Sequence, residues 1–236
     1  MMGNRTQGRK TMTGHLHREL DILKKKLLAL AAVVEETVQQ AVLALENCDD
    51  EQARRVVAAD DRINALEVDL EEECLKALAL YQPVAGDLRY IVAILKMNND
   101  MERIGDLSRG IAERVLSLTE CNRVPAPYDL RAMADEARQM LKYALDALVN
   151  RDLDLATRVV TLDDQIDQRH ADNFEAVKKA IQEDPGAIHA HMSYLTVSRH
   201  LERIADLATN IAEDVVYMVQ GKIVRHQLGD ETKLKL

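Results

Sequence analysis

The sequence predicts an all-α protein of two tandem three-helix bundles, six helices in all, related by internal duplication. Three observations carry that expectation. Alanine, leucine, glutamate, lysine and arginine are abundant and only 9 glycines and 4 prolines interrupt them, so the residues that cost least in a helix dominate. Polar and breaker clusters cut the chain into six stretches, each long enough for a helix. The last three stretches then repeat the first three in pattern and, over two blocks, in residue identity.

The stretches run over 15–47, 51–80, 86–120, 128–149, 152–182 and 186–221. Between them stand Asn47-Cys48-Asp49-Asp50, Gln82-Pro83 through Gly86, Pro125-Ala126-Pro127, Asn150-Arg151-Asp152 and Asp184-Pro185-Gly186. Most of these connections are short, which sets neighbouring helices antiparallel. The Pro-x-Pro segment differs, because both prolines resist helix and restrict the residue before them, so 122–127 is the natural boundary between two halves. The organisation expected is a disordered tail over 1–14, a first unit over 15–121, a second over 128–221 and a C-terminal tail over 222–236.

The duplication is legible in identities. MERIGDLSRGIAERVL at 101–116 aligns with LERIADLATNIAEDVV at 201–216 at an offset of 100, and RVVAADDRIN at 55–64 aligns with RVVTLDDQID at 158–167 at an offset of 103. Shared packing alone would preserve apolar character and let charges drift. Instead Glu102, Arg103, Asp106 and Glu113 recur as Glu202, Arg203, Asp206 and Glu213.

Composition narrows the function. A net charge of −9 disfavours binding to a phosphate backbone, and one Phe with no Trp leaves few faces for base stacking, so no nucleic-acid partner is expected. Cys48, Cys74 and Cys121 are odd in number and lack CxxC spacing, which fits a reducing cytoplasm better than a zinc ribbon or a disulfide framework. Met1 to Gly14 is basic and polar without an apolar core, unlike a secretory signal. Apolar runs such as Leu27 to Val34 fall far short of the ~20 residues a hydrocarbon core requires, so no membrane span is expected.

In the third stretch Met101, Ile104, Ser108, Ile111, Val115 and Leu118 follow the spacing of a buried seam, repeated in the sixth by Leu201, Ile204, Ala208, Ile211, Val215 and Met218. Glu102, Asp106 and Glu113 lie roughly opposite that seam, with Glu102 and Asp106 stacked at i and i+4. Counting about the turn near 83–84 sets residue 104 level with 63, flanked by Asp60 and Asn64; counting about Pro185 sets 204 level with 166, flanked by Asp163 and Asp167. Glu35 and Glu36, and Asp135 and Glu136, are expected at the same heights.

Carboxylates gathered at one level repel one another, and a cation relieves the repulsion. Hard oxygen donors suit Mg²⁺, Mn²⁺ or Ca²⁺, and carboxylates able to bridge also admit iron or zinc, among which residue types alone do not choose. The candidate ligands are Glu102, Asp106, Asp60 and Asn64 in the first half and Glu202, Asp206, Asp163 and Asp167 in the second. A solvated acidic face neutralised by Arg103 and Arg203 is the competing reading.

The run QPVAGDLR at 82–89, with DMERIGD at 100–106 and LERIAD at 201–206, resembles the PhoU family over about 16–221, both repeats in order. The resemblance implies two three-helix bundles and a cytoplasmic negative regulator of the phosphate-starvation response. It also implies two partners, the ATPase of the phosphate ABC transporter and a membrane sensor histidine kinase, through which the protein would sit peripheral to the membrane. The family's metal motif, E(D)xxxD, falls on Glu102 with Asp106 and on Glu202 with Asp206, and Asp163 with Asp167 fits it too. Asn64 departs from it, leaving the first site one acid short, and the second repeat lacks a QPVAxDLR run, which predicts halves inequivalent in partner binding.

The rival class is a carboxylate-bridged metal-dependent oxidoreductase or a metal-storage bundle, which would carry Glu-x-x-His motifs inward; the nearest approach is Asp167 followed by His170. A plain helical spacer is the third reading, against which the recurrence of charged residues counts. His170, His189, His191 and His200, and the six tyrosines, read as packing or rim residues, and Arg89 as a local cap or pairing group. With no phosphate-binding glycine loop and no nucleophile-base set, no enzyme activity is expected. The long similar faces of the two halves predict a homodimer.

Overall fold

The computed structural model describes residues 4–120 and 124–222, with side chains described over 15–118 and 124–222. Among the described residues six α-helices form: α1 (Asn4–Asn47), α2 (Asp50–Tyr81), α3 (Ala85–Glu120), α4 (Leu130–Asn150), α5 (Leu153–Glu183) and α6 (Ile188–Gln220), with a 3₁₀ turn at Pro185–Ala187. Helix ends fall within a few residues of those read from the sequence except at the start, where α1 is bounded at Asn4 rather than near residue 15. The expectations for residues 1–3, 121–123 and 223–236, Cys121 and the start of the 122–127 boundary among them, lie outside the described residues.

Aspartates start α2, α4 and α5. Asp49 accepts from the Gln52 backbone N–H at 3.0 Å, Asp129 from Ala132 at 3.0 Å, and Asp152 from Asp154 and Leu155 at 2.9 and 3.1 Å. Each satisfies donors that the first helical turn leaves without intrahelical partners. At the other ends Cys48, Gln82 and Arg151 adopt the left-handed conformation that closes a helix. Gly221 does the same at the end of α6 with φ +72°, and a Cβ there would stand 3.2 Å from the Arg89 guanidinium carbon. Arg89, from the QPVAGDLR run, thus packs over the C-terminus of α6, where helix carbonyls favour a cation.

α1, α2 and α3 pack on one another, as do α4, α5 and α6; the two units join where α3 packs on α6 and α1 on α4. Lys96 meets Asp214 and Gly110 meets His200, so α3 and α6 run antiparallel and lie level at residues 105 and 205. Both seams read from the sequence are buried, except that Met218 is half-buried. The Pro-x-Pro connection is pinned to α6: Tyr128 donates to the Tyr194 carbonyl at 2.6 Å, and Tyr194 donates to the Val124 carbonyl at 2.9 Å.

α1 departs from expectation in its apolar content. Within His15–Asn47 it holds a window of mean hydropathy 1.5, long and apolar enough by length and composition to cross a membrane, yet 50% of that window is buried inside this fold. Leu23, Leu27, Leu30, Val34 and Val38 are core residues here, so the apolar character serves the bundle.

Candidate metal centre

α5 carries Asp163 and Asp167 one turn apart, and α6 carries Glu202 and Asp206 with the same spacing. Because α5 packs against α6, carboxylate oxygens of Asp167, Glu202 and Asp206 come within 4.8 Å of one another. Asp163 extends the layer and accepts a hydrogen bond from the Thr209 hydroxyl at 3.3 Å. Among the described residues no lysine, arginine or histidine nitrogen makes an ion pair with any of the four.

The electrostatics follow first from burial and then from that crowding. Burial, then Asp206 and Asp167, push the Asp163 carboxyl up to about 6. Glu202 is raised by burial, then by Asp206 and Asp167, and Asp206 by burial and then Asp167. Arg199 and Arg203 oppose the rise at Glu202, and Arg203 that at Asp206, without cancelling it. Oxygen donors at this spacing, with no ion-pair partner among the described residues, suit a hard divalent cation or iron, and the donor set fits one.

The first repeat is arranged differently. Asp60 is 6% exposed, and its Oδ2 accepts from Arg109 Nη1 at 2.7 Å and from Asn64 Nδ2 at 3.3 Å. The same guanidinium lies 3.6 Å from Asp106 Oδ1 and 3.5 Å from Glu113 Oε1. Glu102 is half-buried on this layer, its carboxyl raised by burial and then by Asp106, Glu67 and Asp60. All four first-half candidates therefore share one neighbourhood, with an arginine inside it.

Sequence reasoning names Arg103 and Arg203 as the neutralising groups. Both are exposed and neither makes an ion pair among the described residues. The group it misses is Arg109, whose counterpart at the repeat offset is Thr209; the mismatch inside the aligned blocks, and the spacing from Asp106 and Glu113, are the signals for it. The structure also does not bring Glu35, Glu36, Asp135 or Glu136 into the grouped carboxylates. Glu136 is held by Arg169 and Asp135 by Arg138. Glu35 lines a separate recess of about 440 Å³ with Arg138 and Lys142, and Glu36 another with Arg55 and Arg62.

One turn further along each layer the repeats correspond again. Asn98 donates to the Glu67 carbonyl and carboxylate at 2.9 and 3.1 Å, while at the equivalent positions His170 Nδ1 lies 2.8 Å from Ser198 Oγ. Burial and Arg199 lower the His170 pKa. His191 is buried and His200 packs on Gly110, so both are packing groups, whereas His189 is exposed.

Comparison with known proteins adds four findings. The family model described as the PhoU domain matches twice, over residues 27–115 and 130–215. A phosphate-specific transport system accessory protein PhoU homolog of Pseudomonas putida is 39% identical over 223 residues, covering 92% of this chain and 87% of its own. The crystal structure of PhoU from Pseudomonas aeruginosa superposes with a TM-score of 0.84 at 37% identity, covering 87% of this chain and 99% of that one. The phosphate transport system regulatory protein PhoU from Streptococcus pneumoniae superposes at 0.80 with 33% identity, covering 89% and 99%.

Proposed function

The chain belongs to the PhoU family, and we propose that it is a non-catalytic accessory protein of phosphate uptake that works by docking on its partners. The names of its relatives, accessory or regulatory proteins of phosphate transport, support the phosphate role over the oxidoreductase and storage readings. In this reading it quiets the phosphate-starvation response from the cytoplasm by contacting the ATPase of a phosphate ABC transporter and a sensor histidine kinase, and it self-associates as a homodimer. Residues 15–121 and 128–221 act as its two units.

Divalent cations or iron at the carboxylate layers set the charge of the docking face. The observation that carries this part is the grouping of Asp167, Glu202 and Asp206 beside Asp163 with no ion-pair partner among the described residues. In the first repeat the corresponding candidates are Glu102, Asp106, Asp60 and Asn64. A cation bound at such a layer would supply positive charge, and the helices hold the carboxylates in place.

The test combines element analysis of natively purified protein with capture of the purified transporter ATPase by wild type and by the Asp167→Asn, Glu202→Gln, Asp206→Asn variant. The reading expects metal in the wild type, loss of that metal in the variant with helical signal kept, and weaker capture, most marked at low ionic strength where charges are least screened. Equal metal content and equal capture by the two proteins would remove the cation from the reading. Light scattering across concentrations checks the dimer.

A further inference from the structure

We propose that Arg109 is a built-in cation that closes the first carboxylate layer, so that the two repeats are inequivalent and the second alone is open to a divalent ion. The inference rests on the reading of these layers as cation sites and specifies which layer takes the ion. It is carried by a comparison the molecule makes with itself. At the repeat offset Asp60 corresponds to Asp163, Glu102 to Glu202, Asp106 to Asp206 and Glu113 to Glu213, whereas Arg109 corresponds to Thr209 and Asn64 to Asp167.

The first repeat displays what its layer requires. Arg109 reaches from α3 across to α2, donates to Asp60 at 2.7 Å, and stands 3.6 Å from Asp106 and 3.5 Å from Glu113. A guanidinium is always charged and presents five donors in a fixed fork, so one side chain serves three carboxylates. Asp60 depends on it. That carboxylate is buried, its Oδ1 has no hydrogen-bond partner, and its Oδ2 has only Asn64 besides the arginine.

A divalent ion entering this layer would meet a fixed positive charge among its own ligands. To make room Arg109 would have to leave a buried carboxylate, the kind of separation that is strongly unfavourable. Asn64, one acid fewer than the second layer has, fits a layer that needs only a single positive charge.

The second repeat has the same frame without the arginine. Thr209 is short, uncharged and buried, and it gives Asp163 one neutral hydrogen bond. Asp167 stands where Asn64 stood, adding a charge, and its oxygen groups with those of Glu202 and Asp206 within 4.8 Å. Substituting arginine by threonine and asparagine by aspartate thus removes the internal cation and deepens the demand for an external one.

The test counts bound Mn²⁺ by the loss of the free-ion electron paramagnetic resonance signal, with far-ultraviolet circular dichroism as the fold control. Wild type is expected to bind Mn²⁺; Asp167→Asn with Glu202→Gln and Asp206→Asn is expected to bind none, although every first-layer residue is intact. On that silent background Arg109→Thr, alone or with Asn64→Asp, is expected to restore at least one Mn²⁺ per chain. Thr209→Arg in the otherwise wild-type chain is expected to abolish binding. Should Arg109→Thr lose helical signal, Arg109→Gln, of similar length and neutral, gives the same reading.

If the second-layer variant still holds Mn²⁺ while Arg109 is present, or if no Arg109 variant adds an ion, the inference fails and cation binding by the protein stands. If wild type binds no Mn²⁺ at any concentration, the cation reading itself fails and takes the inference with it.

Discussion

Gly105 of α3 and Ile63 of α2 meet so closely that a methyl on Gly105 would stand 2.9 Å from Ile63 Cδ1 and 3.1 Å from its Cγ2. Ile63 is fully buried and β-branched, so its Cγ2 has no free rotamer to retreat into. The second repeat already has Ala205 and Ile166 at these positions, so α2 and α3 are the pair that relies on a bare backbone. Gly105→Ala is expected to cost about 1–3 kcal/mol by overpacking, offset in part by the roughly 1 kcal/mol that alanine gains over glycine in a helix. Adding Ile63→Val, which removes Cδ1, should give a double variant more stable than the two single effects predict. Urea unfolding of the three proteins measures this, and strictly additive losses would show that the contact is not where the strain falls.

Lys96 joins the two units. From α3 it pairs with the buried Asp214 of α6, and its ammonium lies 5.1 Å from the Tyr217 ring centre. Lys96→Met keeps most of the stem and removes the charge, and is expected to lower stability by about 1.5–3 kcal/mol, the range for a hydrogen bond to a charged group. Thermal unfolding reads it out. A midpoint equal to wild type would assign the union of α3 and α6 to their apolar seam alone.

Asp152 closes the tight connection between α4 and α5, accepting from two backbone N–H groups, just after Arg151 takes the left-handed conformation. Asp152→Ala is expected to cost about 1 kcal/mol, and Asp152→Asn, which keeps an acceptor oxygen, much less. Chemical unfolding of the two variants separates capping from charge.

The helices are legible because their boundaries rest on local chemistry: the aspartates that cap α2 and α5 sit in the clusters that mark turns in the sequence, and Asp129, which caps α4, follows the Pro-x-Pro segment. The level of the acidic layers is legible too, since counting about the α2–α3 turn sets residue 104 beside 63, and Gly105 does touch Ile63. Arg109 escapes such a reading because adjacency in sequence points instead to Arg103 and Arg203, each next to its glutamate. Neighbours at i+1 point about 100° apart on a helix. Arg109, three residues after Asp106 and four before Glu113, lies on the acidic face, and its reach to Asp60 depends on interhelical distance, which no local pattern contains. The apolar window of α1 escapes for a related reason: an uninterrupted run ends at Glu35, whereas an average over a window tolerates two charges.

Asp163 supplies the clearest dependence on pH. Its carboxyl stands at about 6 in the folded protein, pushed up first by burial and then by Asp206 and Asp167, against an ordinary value near 3.8. A folded-state pKa above the unfolded one means that the folded chain takes up its proton first on acidification. Relative to a neutral residue, Asp163 therefore weakens the metal-free fold fully above about pH 6, progressively less below it, and not at all below the unfolded value. Asp163→Asn should accordingly be more stable than wild type at pH 7 in the presence of a chelator, by about 1 kcal/mol once the half-exposed position is allowed for. That advantage should shrink as the pH falls from 7 to 4. Saturating Mn²⁺ should reverse the order at pH 7, because a ligand that binds only the folded state stabilises it, and the wild type retains one more donor. Melting curves at four pH values, with chelator and with Mn²⁺, contain the whole comparison. An advantage of Asp163→Asn that grew on acidification, or that Mn²⁺ left untouched, would show that the strain at this carboxylate is not charge crowding and that no cation answers it.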